Sequence, residues 1–146
     1  MGLLIMPQGV KIMPHSRHVE SNGVLVTKFT GLVTLKELIE IQNELENYAH
    51  EGEIYELVLH PDDSRLLQNI EESLFSAENV QKILSKFKKG AIAFVAKSDF
   101  IYAICRQLQM RVANEYIQLN VFRTEETALK WLVEIKTLNA SGTENG

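Results

Sequence analysis

The adjacent carboxylates in VFRTEETALKWL, residues 121–132, are the first side chains in this sequence with the types needed for chemistry. Two acids act as general acid and general base in hydrolases when both face one substrate. Glu125 and Glu126, however, follow Thr124 at the start of a predicted helix, where the helix dipole favours each acid by about 0.3–1 kcal/mol. Adjacent helical residues also point in different directions. We therefore predict that this pair is structural.

The other reactive residue types lack the spacing of a catalytic or metal site. His15, His18, His50 and His60 form no zinc or iron pattern with cysteines or acids. The single cysteine, Cys105, lies among apolar residues, where burial as a small hydrophobe is typical. Dinucleotide, phosphate-loop and nucleophile-elbow motifs are absent from the sequence. The expectation is no catalytic residue, no metal and no cofactor.

Length and composition indicate one globular domain. The chain has 146 residues, and its net charge of -4 gives no electrostatic reason to expect a nucleic acid partner. An N-terminal apolar run of about five residues is far short of the ~20 that cross a bilayer, and one cysteine suits a reducing compartment. We expect a cytoplasmic protein without stable membrane insertion. A flexible segment at 1–15, a domain at 16–137 and a disordered tail at 138–146 complete the predicted organisation.

The first third of the chain predicts a β-hairpin followed by a helix. The Asn-Gly pair at 22–23 joins two runs rich in β-branched residues, which places strands near 16–20 and 24–30. Downstream, TLKELIEIQNELENYAH carries apolar residues at helical spacing. Thr34 and Glu37, three residues apart, form a capping box that predicts where this helix begins.

The rest of the chain alternates strands and helices. IYELVLH and GAIAFVAK are apolar runs typical of strands covered on both faces, and SAENVQKILSKFKKG between them predicts a helix capped by Ser76 and ended by Gly90. Apolar residues spaced by four in 61–75 suggest a further short helix. The order, a β-hairpin followed by αβαβαβα, predicts an α/β fold. Its mixed, mostly parallel sheet has about five strands with helices on its faces.

Two surfaces are candidates for function. Ligands of open parallel sheets bind beyond the carboxyl ends of the strands, near helix N-termini. The candidates at this rim, for binding or a switch, are Asp62, Asp63, Ser64, Arg65, Ser98, Asp99 and Arg106. The alternative is an apolar pocket covered by residues 66–75, with the lining candidates Leu74, Phe75, Tyr102 and Met110. Helix capping and core packing also explain these residue types, so both interpretations stay open.

Three segments, FTGLVTLKELIEIQNEL, GAIAFVAKSDFIYAICRQLQM and VFRTEETALKWL, resemble the SpoIIAA-like family of stand-alone STAS-like proteins over roughly residues 18–135. The resemblance implies a mixed sheet with helices on its faces, no catalytic apparatus and a regulatory role. In the related anti-sigma-factor antagonists, phosphorylation of a serine at a helix start switches partner binding. Ser64 corresponds best to that serine, although Arg65 follows it where the motif has a small residue.

The sequence therefore predicts a non-enzymatic, cytoplasmic regulatory or protein-interaction domain of the STAS-like type. It would bind a protein partner or a small anion at the strand C-terminal rim. The alternative is a protein that binds a small apolar ligand or a lipid, with residues 66–75 as the cover. The sequence names neither partner nor ligand, and it leaves a homodimer open.

Overall fold

The computed structural model describes residues 15–61, 65–67, 70–112 and 114–142, which form an α/β fold, as predicted. The strands are β1 His15–Val19, β2 Leu25–Phe29, β3 Leu32–Thr34, β4 Glu53–His60, β5 Arg65–Leu67, β6 Lys89–Ala96 and β7 Ile117–Phe122. The helices are α1 Leu35–Asn43, α2 Ile70–Leu84, α3 Asp99–Arg111 and α4 Glu125–Gly142. A short 3₁₀ helix, Glu44–Tyr48, follows α1. No helix in the described ranges combines the length and apolar character that a membrane span requires.

The main sheet has five strands in the order β1-β2-β4-β6-β7. β1 and β2 form the predicted antiparallel hairpin, and the other neighbours are parallel, so the predicted mixed sheet is confirmed. Each crossover adds the next strand on the same side of the previous one. Right-handed crossovers in one direction leave their helices on one face, and α1, α2 and α3 all lie there. α4 covers the opposite face.

β6 lies between β4 and β7 and is covered on both faces. Ala91, Ala93 and Val95 face α4, whose Ala128 and Leu132 are fully buried against the sheet. The small alanine side chains let α4 approach β6 closely. The alternate residues of β6, from Ile92 to Ala96, face the three crossover helices. The alternation explains why the strand reads as a continuous apolar run.

The predicted capping box at the start of α1 is confirmed, and Thr124 caps α4. Glu37 N donates to Thr34 Oγ1 over 3.2 Å, and Thr34 N donates to Glu37 Oε1 over 2.9 Å, which completes the capping box at α1. At α4, Thr127 N donates to Thr124 Oγ1 over 3.3 Å. Glu125, like Glu126 beside it, lies in the first turn of α4 and is exposed.

The predicted start of α2 is wrong. The helix begins at Ile70, so Ser76 lies within it, buried, and its hydroxyl accepts a hydrogen bond from Gln42 Nε2 at 3.0 Å. Of the apolar residues assigned to a separate short helix, Ile70 and Leu74 lie in the first turns of α2, and Leu66 lies in β5. Gly90 is not a helix terminator, because α2 ends at Leu84 and Gly90 lies in β6.

Two further features differ from the sequence predictions. β3 and β5 pair in parallel as a separate two-stranded sheet, which was not predicted because three residues give no readable alternation. At the C-terminus, α4 continues to Gly142, so residues 138–142, expected in a disordered tail, are helical. The predicted flexible segment lies outside the described residues, except that its last residue, His15, begins β1.

Gly90 generates the first testable prediction. A Cβ built at this residue would lie 1.9 Å from the Ile54 carbonyl oxygen on β4, and backbone atoms there have no room to move. We expect Gly90→Ala to lower the free energy of unfolding by about 3 kcal/mol or more. Gly31→Ala is the control, because Gly31 has φ +62° but open space around it, so backbone strain alone costs roughly 1–2 kcal/mol. Urea denaturation of both variants measures the difference, and equal losses would contradict the steric argument.

Candidate functional site

A cavity of about 100 Å³ lies between the sheet and the three crossover helices. Its wall is mostly apolar. The sheet contributes Phe29, Val58, Ile92 and Phe94, and the helices contribute Ile41, Val80, Ile83, Leu84, Ile104 and Leu108. Polar side chains on β1, β2 and β4 interrupt this apolar wall. The site is therefore an apolar chamber with a few defined polar groups, which is the usual composition of a small-molecule site.

The exposed residues among the described lining of the cavity lie on α3, and this part of the surface is called the mouth. Among its lining residues, Gln107 and Arg111 on α3 are exposed, and Ser73 on α2 is half-buried. On the inner side, Gln42 of α1 donates to Ser76 and accepts from Asn79 Nδ2, so α1 and α2 are joined by hydrogen bonds.

A buried ion pair forms the polar part of the wall. Arg17 Nη2 lies 3.2 Å from Glu56 Oε2, and both side chains are about 5% exposed. Arg17 Nε donates to Thr27 Oγ1 over 2.9 Å, and Thr27 Oγ1 donates to Glu56 Oε2 over 2.5 Å. Arg17 Nη1 also donates to the Ile41 carbonyl oxygen over 2.8 Å, which ties β1 to α1. Strand register explains the cluster, because Arg17 is directly opposite Thr27 and all three side chains point to the same face.

One oxygen of Glu56 has unused hydrogen-bonding capacity. Both hydrogen bonds that Glu56 accepts go to Oε2, and no described residue donates to Oε1. Glu56 is only 4% exposed and lines the cavity. A carboxylate oxygen accepts up to two hydrogen bonds, so Oε1 is available to a donor that enters the chamber.

His60, at the carboxyl end of β4, is the second unsatisfied polar group in the wall. Its ring stacks on Phe29 with centroids 4.7 Å apart and planes 10° apart. Neither ring nitrogen bonds to any described residue, and Nδ1 is fully buried. Burial lowers the pKa of His60 to about 4, so the imidazole is neutral at pH 7. A buried polar atom without a partner costs about 1–3 kcal/mol, which marks His60 as a group that needs explanation.

Cys105 borders the same cavity from α3. Burial raises the pKa of its thiol to about 12, so the sulfur is protonated at neutral pH. Activated cysteines show the opposite shift, towards the thiolate. Within the described ranges, no group of three or more His, Cys, Asp or Glu side chains is arranged to hold a metal ion.

The described residues of the predicted rim make local contacts. Ser98 caps α3 by accepting from Ile101 N over 3.1 Å. Asp99 accepts from Arg123 Nη1 over 2.9 Å, and the Arg123 guanidinium lies 4.0 Å from the centre of the Tyr102 ring. These contacts join the start of α3 to the end of β7.

The other predicted rim residues are dispersed or outside the described ranges. Arg106 is exposed two turns further along α3, where it donates to Gln109 over 2.6 Å. Arg65 lies in β5, opposite Leu32. Asp62, Asp63 and Ser64 lie outside the described residues, so anion or partner binding at this rim stays a prediction.

The four predicted pocket residues do not form the cavity wall in the part of the chain that the structure describes. Leu74, Phe75 and Met110 are exposed, because they lie on the outward sides of α2 and α3. Tyr102 is half-buried beneath Arg123. Of the predicted cover, residues 66–75, Ser73 reaches the cavity.

Sequence reasoning missed Glu56 and His60, although the signal is visible. In IYELVLH the residues of one face are Ile54, Glu56, Val58 and His60, so two polar side chains alternate with apolar ones on a strand covered on both faces. Thr27 interrupts β2 in the same way. Polar residues at buried strand positions indicate an internal polar network.

Comparison of the chain with protein-family models, with curated proteins and with solved structures gave no match.

The ion pair generates a stability prediction. Removing one partner leaves an uncompensated buried charge, so Arg17→Met and Glu56→Met should each lower the free energy of unfolding by about 3–5 kcal/mol. The double variant should recover most of that loss, because two apolar side chains replace the pair. Chemical denaturation of all three variants measures this cycle. Glu46→Gln is the control, because it breaks the half-exposed ion pair with Lys86 and should lower the free energy of unfolding by at most about 1 kcal/mol. If the losses of the two single variants simply add in the double variant, the two side chains are not coupled.

His60 generates a pH prediction. The unfolded imidazole binds a proton with a pKa of 6.5 and the folded one only near 4, so between these values the unfolded state binds more protons. This group's contribution is complete above pH 6.5, and about 3 kcal/mol is lost as the pH falls to 4. His60→Phe keeps the ring and should flatten the stability curve in this window. Ile92→Val is the control and should lower the free energy of unfolding equally at every pH. If the free energy of unfolding of His60→Phe falls as steeply between pH 6.5 and 4 as that of wild type, His60 is not the group responsible.

Proposed function

We propose that this chain is a non-enzymatic domain that binds one small, mostly apolar molecule in the cavity between the sheet and α1, α2 and α3. The observation that carries the proposal is an apolar chamber whose wall contains two polar groups with unused hydrogen-bonding capacity, Glu56 Oε1 and the His60 ring. Protein interiors seldom retain such groups without a role. A ligand that fills the space and bonds to one of them removes both the void and the unsatisfied group.

The size of the cavity limits the ligand. A water molecule needs roughly 10–15 Å³ of the same kind of volume, and engineered apolar cavities of about 150 Å³ bind benzene. A cavity of about 100 Å³ is smaller than that, so it suits a molecule no larger than about one six-membered ring. Drug-sized molecules occupy roughly 300–1,000 Å³. A single ring or a short chain fits better than a long lipid tail.

The direction of the pKa shifts supports a role in binding rather than catalysis. Burial keeps both His60 and Cys105 uncharged at neutral pH. A general base needs a pKa near the working pH, and a nucleophilic cysteine needs a lowered pKa. The charged pair, Arg17 and Glu56, is already mutually compensated. The free cysteine also supports a cytoplasmic location for this role.

A second function, binding of a protein partner at the strand C-terminal rim, is favoured by exposed apolar side chains near that rim. Leu32 is 53% exposed after β2, Phe75 is 54% exposed on α2, and Phe100 is 63% exposed at the start of α3. Exposed apolar side chains of this size are frequent at protein-interaction sites. The regulatory role implied by the resemblance to the SpoIIAA-like family belongs to this second proposal.

Substitution of Cys105 tests ligand binding directly. Cys105→Met adds two heavy atoms to the cavity wall and should weaken binding of a single-ring probe at least roughly tenfold. Cys105→Ala is the matched control, because it removes the same thiol but enlarges the space, so affinity should stay within about threefold of wild type. Methyl resonances of the cavity residues, followed by NMR during titration with toluene and with phenol, report binding. Absence of shifts with both probes at millimolar concentration in the wild-type protein would exclude the proposal.

A further inference from the structure

We infer that the ligand is an uncharged molecule of about one ring that carries a hydroxyl group, and that this hydroxyl hydrogen-bonds to the imidazole of His60. The inference rests on the proposed ligand-binding function and adds the chemical class of the ligand. It uses three observations: the unsatisfied imidazole, the compensated ion pair and the apolar wall around them.

The imidazole is held in place but has no hydrogen-bonding partner among the described residues. The stack on Phe29 fixes the plane of the ring. A rotation of the ring by 180° about the Cβ–Cγ bond keeps the stack on Phe29 and exchanges the positions of the ring nitrogens with those of ring carbons. A ring nitrogen can therefore bind a ligand without displacing Phe29. Because the side chain is only 6% exposed, bulk water does not satisfy both nitrogens. A ligand that supplies a hydrogen bond there gains more than it would at an exposed group.

Charge excludes an ionised ligand deep in the cavity. The positive Arg17 is neutralised by Glu56, so the polar part of the wall carries no net charge. An anion would lie close to the Glu56 carboxylate, and a cation would bury a charge next to an imidazole that burial already keeps neutral. The exposed Arg111 lies at the mouth, where solvent screens its charge. An uncharged molecule meets none of these penalties.

Hydrogen-bonding capacity favours a hydroxyl over a carbonyl. Neutral imidazole has one donor nitrogen and one acceptor nitrogen, and a hydroxyl can pair with either. Glu56 Oε1 is an acceptor only, so it too requires a donor from the ligand. Glu56 and His60 are four residues apart on one face of β4, about 13 Å between their Cα atoms. A hydroxyl can therefore pair with either tautomer of His60, whereas a carbonyl, which only accepts, serves one tautomer.

The test compares two probes of the same shape in two proteins. Phenol and toluene differ by a hydroxyl in place of a methyl group, and His60→Phe removes the nitrogens while keeping a ring on Phe29. We expect the affinity for phenol to fall roughly tenfold in His60→Phe and that for toluene to stay within about threefold, measured by NMR titration at pH 7. Cys105→Ala, which leaves the imidazole intact, should change both affinities by the same factor.

The remaining outcomes separate this inference from the proposed function. If both probes bind and His60→Phe weakens them equally, the hydroxyl inference is wrong and the ligand-binding function stands. If neither probe binds wild type, both are wrong. If benzoate binds more tightly than phenol and Arg111→Gln removes that preference, the ligand is an anion held at the mouth, which overturns the inference alone. His60→Leu replaces His60→Phe if thermal unfolding shows that the larger ring prevents folding.

Discussion

The buried pair of Arg17 and Glu56 is the interaction on which the arrangement of this fold depends. Taking two charges out of water is costly, and the cost is offset only where good geometry and further hydrogen bonds satisfy the remaining groups. Thr27 and the Ile41 carbonyl supply those bonds, so the edge strand β1 is held to β2, β4 and α1 at one point. An apolar trio would fill this space with similar stability. The retention of a charged group beside an apolar cavity therefore points to a use for polarity at that place.

The two faces of the sheet are covered differently. On the α4 face, alanines on β6 allow close packing, and Leu132 is fully buried. On the opposite face the helices leave a cavity, and His60 is kept neutral without a partner among the described residues. Unfilled volume and unsatisfied polar atoms both lower stability. Burial of Ala128 and Leu132 of α4 against β6 offsets part of these costs.

The fold was more predictable from the sequence than the site, for a physical reason. Continuous apolar runs identify β4 and β6 as strands, because a strand that is covered on both faces has apolar side chains at nearly every position. The predicted start of α2 at Ser76 was wrong because a serine that precedes an apolar stripe is typical of a helix N-cap. The helix begins six residues earlier, at Ile70. Glu56 is polar on a buried face, but its partner Arg17 lies 39 positions away and two strands over. Pairing of that kind depends on strand order and register, which local patterns do not encode.

Hydrogen bonding distinguishes the two candidate surfaces. At the rim, Ser98 already caps α3 and Asp99 already pairs with Arg123, so these groups must give up existing partners before they bind an anion. In the cavity, a ligand meets acceptors that have no partner to give up among the described residues. The rim offers exposed apolar side chains instead, which suit a protein surface better than an ion. α2 belongs to both surfaces, because Ser73 lines the cavity while Phe75 faces outward. A small molecule between the helices and a protein on the rim would therefore contact the same helix from opposite sides.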